Sequence, residues 1–453
     1  MPSLKRDRLG HAGGAEPWLV LLILTVVYAL NIADRFVLST LIEPIKAEFA
    51  LSDSAIGFLT GVSLAIFYVS AGIPLGILAD RVNRRSLLAV SLAVWSLLTM
   101  GCGWAQSFWQ LLVMRIGVGI GEAGGTPPSQ TLLADTFTLG LRPTAMSIFA
   151  VGATFGATLG SSAGGWLSDH YGWRSALLCF GAIGLPVALL VRVAIREPVR
   201  GRFERDPSQL HKPSVKLSVR FMLGQRSLLH VLAGCTVCTF WSWGIMWWTP
   251  AFLSRSHGLS VEAAGALLAP MHGIGGTAAV LLTAWLFHRY SRGDPRWQTW
   301  FVAASMVVGF LPSLLVFAVP SLAACSLMLW IFVPLIYVPM GPTLALTQNL
   351  VPAGMRALAC AFLLFFANLA NLAVAPQLLG WASDEIALRL DVPQQSLRYV
   401  LAAASLTALW GAWHYARAAR TLRVDLAAAG SDTSATTAVP VATKAPTTAS
   451  LIP

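Results

Sequence analysis

Twelve stretches of about twenty apolar residues decide what this chain can fold into, because a helix of about that length crosses the hydrocarbon core of a bilayer. They run roughly over 18–41, 55–78, 86–106, 108–133, 144–167, 174–195, 228–253, 262–287, 298–319, 321–350, 356–381 and 397–417. In lipid each backbone N–H and C=O needs a partner inside its own segment, so stretches of this length are read as helices. Only 11% of the residues are charged, against about 25% in soluble domains. A net charge of +11 would point to nucleic acid in a soluble protein. Here the arginines stand between apolar stretches, and no nucleic-acid partner is expected. With the N-terminus inside, about 24 of the 31 Lys and Arg fall on the cytoplasmic side, as the positive-inside rule requires. The chain is therefore expected to be an all-α membrane protein with an even number of spans, N-in and C-in. Lys5 to Arg8 before the first apolar run imitate a signal peptide, but that run is long and holds Asp34, so it reads as a retained span.

The organisation that follows is a cytoplasmic tail (1–17), a first six-helix bundle (18–195), a cytoplasmic linker (196–227), a second six-helix bundle (228–420) and a disordered cytoplasmic tail (421–453). The linker is the one long basic connector. The last tail is low in large apolar residues and rich in Ala, Thr, Ser and Pro. On the fifth span Gly152, Gly156, Gly160 and Gly164 share a helix face, which predicts close approach of a neighbouring backbone. Pro334, Pro339, Gly341 and Pro342 interrupt the tenth span, a break tolerated where helices line a cavity.

Ionisable residues inside these spans carry the functional argument. The first holds Asp34 and Arg35; the fourth holds Arg115 and Glu122. A charge at the centre of a bilayer costs about 2.5–3.5 kcal/mol or more, so these residues mark a passage or a proton site, unless they form a static pair that fixes helix register. At 1.5 Å per residue, Asp34 lies roughly 7 Å to the outer side of the midplane, Arg115 at similar depth and Glu122 near the middle. Residues 115 and 122 are two turns apart and share a face.

Two features now resemble a known family. Gly76-Ile-Leu-Ala-Asp80-Arg81-Val-Asn83-Arg84-Arg85 resembles the cytoplasmic signature of the major facilitator superfamily, with Asn83 at the usual glycine. Within that superfamily, Asn31-Ile-Ala-Asp34-Arg35, Glu43-Pro-Ile-Lys-Ala-Glu-Phe and Arg115-Ile-Gly-Val-Gly-Ile-Gly-Glu122-Ala-Gly resemble the spinster-like branch. After the eighth span, where the signature should recur, only His288-Arg289-Tyr-Ser-Arg292 is found. The resemblance implies the major facilitator fold, twelve spans in two bundles of six. It implies that the first and fourth spans adjoin, so that Asp34 pairs with Arg115 while Glu122 sits deeper. It also implies a cytoplasmic gate made by Gly76, Asp80, Arg81, Arg84 and Asp135, with Asp80 meeting the start of the eleventh span near Gly354 to Arg356.

A carboxylate that alternates between a cation and an apolar surrounding binds and releases a proton. Proton coupling through Asp34 and Glu122, with Arg115 as competing cation and anion site, is the expected mechanism. Arg35 shares a face with Asn31 and either lines the cavity or snorkels outward. The second half offers His272, the pair Asn368 and Asn371, and Thr343 with Thr347, which either line the cavity or bond helix to helix. Trp241 and Trp243 lie deep enough to meet an alkyl chain or an ammonium. Charge on one wall and aromatic surface on the other suit an amphiphile, in line with the lysophospholipid and sphingoid substrates the resemblance implies. A proton-coupled carrier of small organic anions, using Arg115, is the alternative.

Other classes fit poorly. Gly119-x-Gly121-x-x-Gly124 matches a nucleotide-binding fingerprint, but no strand precedes it. No nucleophile accompanies His288 and Asp294, so the chain is not read as an enzyme. Cys235 and Cys238 read as packing residues. No cofactor and no metal are expected; the expected partners are an amphiphilic substrate, protons and the bilayer. The chain is expected to be a monomer in a bacterial cytoplasmic membrane.

Overall fold

The structure is a computed structural model that describes residues 15–138, 140–200, 203, 214–290 and 294–435. Among these residues the secondary structure is helical and no strand occurs. The first half comprises α1 (Glu16–Thr40), α2 (Asp53–Gly72, continuing to Arg81), α3 (Arg84–Gly103), α4 (Phe108–Ala123, resumed at Thr126–Thr136), α5 (Thr144–Tyr171) and α6 (Trp173–Ala194). The second comprises α7 (Arg226–His257), α8 (Val261–Phe287), α9 (Arg296–Ala318), α10 (Leu322–Asn349), α11 (Arg356–Leu390) and α12 (Ser396–Ser405, resumed at Thr407–Ala435). Ten of these rods are long and apolar enough to cross a membrane. The two that are not, α4 and α12, are cut into separate segments at 124–125 and at Leu406.

The elements start and stop for local reasons. Ser52, Ser107 and Ser260 cap α2, α4 and α8 by accepting from the backbone N–H three residues on. After Gly124-Gly125, Pro127 and Pro128 stand in the first turn of the resumed α4, where a missing N–H costs no hydrogen bond. The interruption of α10 lies between Leu335 and Met340, at the prolines that predict it. The final helix runs to Ala435, past residue 421 where the sequence places a disordered tail. The Ala-, Leu- and Arg-rich run from Thr407 to Ala429 has the propensity to continue as helix. Residues 1–14, most of the 201–213 linker and 436–453 lie outside the described residues.

Within the first half α1 packs on α5, α3 on α4 and α6, and α2 on α4; within the second α7 packs on α11 and α12, and α9 on α10 and α12. The halves meet where α5 crosses α8, α2 crosses α11 and α1 crosses α7. Because lipid gives helices little hydrophobic reason to associate, close packing at small residues has to supply it. On α5 a Cβ at Gly152, Gly156 or Gly160 would run into the carbonyl oxygens of Thr25, Ala29 and Ala33 on α1.

Candidate functional site

The centre of the site is a double exchange of charge between α1 and α4. Arg115 Nη1 donates to Asp34 Oδ2 at 2.7 Å, and Thr99 on α3 donates to the other oxygen, Oδ1, at 2.8 Å. One residue further along α1, Arg35 donates through Nε at 3.0 Å and Nη2 at 2.7 Å to Glu122 Oε2. The guanidinium of Arg35 also lies over the ring of Tyr68 on α2, 5.3 Å from its centroid. Successive residues of α1 thus carry opposite charges and meet opposite charges seven residues apart on α4. The ladder is neutral as a whole, as a low-dielectric position demands.

The two rungs differ in access. The side chains of Arg115 and Glu122 are 0% exposed, that of Asp34 5% and that of Arg35 13%. Arg115, placed by the sequence as a site for substrate anions, is therefore sealed inside the first half, held between α1 and α3. Arg35 is the more exposed of the two arginines. Glu122, placed deeper with Arg115 as the competing cation, is paired with Arg35 instead. The depth estimate fixes height along a helix but not its rotation, and rotation is what turns Arg35 towards α4. Asn31 is buried with Nδ2 unpartnered, and Glu122 Oε1, Arg115 Nε and Arg115 Nη2 are likewise unpartnered.

Facing the next turn of α1 is an aromatic cluster from the second half. Phe36 meets His272 edge to face at 4.9 Å and Trp243 at 6.1 Å, and Trp243 meets Tyr337 at 5.2 Å. His272 Nδ1 and the Tyr337 hydroxyl are 2.9 Å apart, while Nε2 has no partner. Trp243 and His272 therefore stand where the halves touch. Trp241 does not: it is fully buried, bonds Ser313 Oγ at 3.1 Å and packs on Phe332 inside the second half. Thr343 is also turned inward, bonded to Pro339 O and the Tyr415 hydroxyl, and Thr347 bonds back to Thr343 O. Thr343 thereby joins α10 to α12, while the bond of Thr347 stays within α10. Asn368 and Asn371 are half-buried on α11.

At the end formed by Arg81 to Arg85, Arg84 is buried and bonds Asp135 Oδ2 at 2.5 Å, Glu197 Oε1 at 2.8 Å and Pro198 O at 3.2 Å. Glu197, missed in the sequence because it follows the last apolar residue of α6, completes this cluster within the first half. Arg81 is exposed. Gly76 and Asp80 lie in helix, and the side chain of Asp80, like that of His288, lies outside the described ones. Among the described residues no group of three or more His, Cys, Asp or Glu is arranged to hold a metal.

Ten helices long and apolar enough to cross a membrane, with a neutralised charge ladder buried between α1 and α4, define a polytopic membrane protein. Residues 24–376 match the model of the Major Facilitator Superfamily. The chain is 32% identical to an MFS-type efflux pump of Mycolicibacterium smegmatis, over 85% of this chain and 88% of that one. It is 30% identical to human protein spinster homolog 1, over 81% and 73%. Its fold is similar to that of a bacterial homologue of the human lysosomal transporter Spinster in an inward-facing, unoccupied conformation. That match has a TM-score of 0.80 and 26% identity, over 92% of this chain and 99% of that one. The chain belongs to the major facilitator superfamily, in its spinster-like branch.

Proposed function

We propose that the protein is a proton-coupled carrier of an amphiphile with a charged head, such as a lysophospholipid or sphingoid-type lipid, working by alternating access. In this reading it has twelve spans, N-in and C-in, in a bacterial cytoplasmic membrane, and works as a monomer. The observation that carries the coupling is the α1–α4 ladder. A proton on Glu122 would neutralise it and free Arg35, the more exposed of the two arginines, for an anionic head group. Asp34 and Arg115 form the buried second rung, whose charges compensate the first. An apolar groove of about 670 Å³ between α5 and α8, lined by Phe155, Thr158, Pro270, Gly273, Ala278 and Leu281, supports a lipid-like cargo. The groove is large enough for an alkyl chain.

Purified protein in proteoliposomes, loaded with labelled lysophospholipid or sphingosine-type lipid, tests this against an imposed pH gradient. Wild-type flux should follow the gradient. Glu122→Gln should keep gradient-independent exchange and lose the response to pH. Coupling that survives in both Glu122→Gln and Asp34→Asn would remove these carboxylates from the mechanism. The likeness to an efflux pump keeps a second reading, export of small amphiphilic or anionic solutes, with Arg35 in place of Arg115 as the cation. Competition of such solutes with lysolipid for binding separates the two.

A further inference from the structure

At the end of the molecule where α1 connects to α2, a buried charge network outside the proposed transport site joins the two halves. Arg255, near the end of α7, donates through Nη1 and Nη2 to Asp53 Oδ2 and Oδ1 at 2.7 Å each, and through Nε to Glu43 Oε1 at 2.8 Å. The side chains of Arg255 and Asp53 are 6% and 3% exposed. Lys46 also pairs with Asp53, and Ser383 on α11 donates to Asp53 Oδ2 at 2.7 Å. The next residue, Asp384, accepts from the backbone N–H groups of Asp53 and Ser54 at 2.9 and 2.8 Å. Those are donors that the first turn of α2 leaves free.

The backbones fit as closely as the charges. A Cβ on Gly57 would strike the carbonyl oxygen of Pro376, and one on Gly380 would strike that of Asp53. Closer to mid-depth, Ser39 donates to Trp247 O at 2.6 Å and Trp247 Nε1 to Thr60 Oγ1 at 3.2 Å. At the opposite end, the charge pairs seen among the described residues join groups of the same half. They are Arg84 with Asp135 and Glu197, and Asp294 with Arg296 and Arg423.

We propose that Arg255 and Asp53, with Asp384 seating the start of α2, form the latch that holds this end of the carrier closed. The latch must part for the transport site to open there. A buried ion pair loses hydration and regains it as mutual attraction, so closed and open arrangements lie close in free energy. Deleting one partner leaves the other buried and uncompensated, which disfavours the closed arrangement alone. The role as a carrier latch rests on the alternating-access reading, but closure of this end is measurable with no cargo present.

Spin labels at the exposed residues Ala47 and Gln394, with Cys179 and Cys360 replaced by Ser, report the separation of the halves by pulsed EPR in nanodiscs. The wild type should give one short distance. Arg255→Gln and Asp53→Asn should each raise the long-distance fraction by about tenfold or more, the scale of breaking a buried pair, and Glu43→Gln by less. Arg255→Lys, which keeps the charge, should stay near the short distance, and size-exclusion profiles matching the wild type distinguish latch loss from misfolding. Unchanged distances in both neutralising single variants would overturn the latch. Absence of lipid flux alongside these shifts would sink the cargo assignment and leave the latch standing.

Discussion

At the residue scale, the two rungs between α1 and α4 show what a sequence carries and what it withholds. Asp34 with Arg115 was legible once the resemblance set the first span beside the fourth, since the two lie at equal depth with opposite charge. Arg35 with Glu122 was not, because residues 34 and 35 point about 100° apart and nothing in the sequence states which of them faces α4. Charge accounting offered the missing signal: two buried ions of opposite sign, each without a partner, belong together. The Asp34–Arg115 rung predicts a strong non-additivity. Asp34→Leu or Arg115→Met alone leaves a buried, uncompensated charge and should cost about 3–5 kcal/mol of stability, whereas the double variant should recover most of it. Thermal unfolding in detergent measures all four corners of the cycle. Additive losses would mean that the 2.7 Å contact contributes nothing as a pair.

At the element scale, small-residue periodicity was the most readable feature. Four glycines at intervals of four on α5 announced a close neighbour, and that neighbour is α1. The prolines of α10 announced its break. The π-helical turns were not readable: Phe58–Val62 in α2, Phe240–Gly244 in α7, Met271–Gly276 in α8 and Leu369–Val374 in α11. One extra residue in a turn leaves no mark on a pattern of uniformly apolar residues. These turns matter for function, since those of α2 and α7 both touch that of α11, where the halves meet, and such bulges gather at functional sites. The α1–α5 contact makes its own prediction. Gly156→Val puts side-chain atoms where the Ala29 carbonyl stands and should destabilise by about 1–3 kcal/mol, lowering the melting temperature and the monodisperse yield. Gly341→Ala, whose Cβ would meet nothing within 4 Å, should change either measure little.

At the scale of the whole molecule, the sequence put charge in the first half and aromatic surface in the second, and inferred a cavity with one polar and one greasy wall. The charged ladder lies within the first half, between α1 and α4. Of the two tryptophans, Trp243 meets Phe36 where the halves touch and Trp241 turns into its own half, and an apolar groove lies between α5 and α8. No sequence pattern announces that groove, because it is shared by two helices about 110 residues apart that become neighbours only when the halves assemble. If a lipid-like cargo lays its chain there, groove volume should set chain-length preference, while the α1–α4 ladder sets head-group preference. Ala278→Trp would fill the groove from the α8 side without touching Arg35 or Glu122. Each buried CH₂ contributes about 0.8 kcal/mol, so a cargo that loses three or four of them in the filled groove should bind about a hundredfold more weakly. A short-chain analogue with the same head group would lose little. Dissociation constants for a homologous series of lysolipids, measured on wild type and Ala278→Trp, read this directly. Equal weakening at every chain length would place the chain elsewhere, and the amphiphile reading would then have to rest on the charged ladder alone.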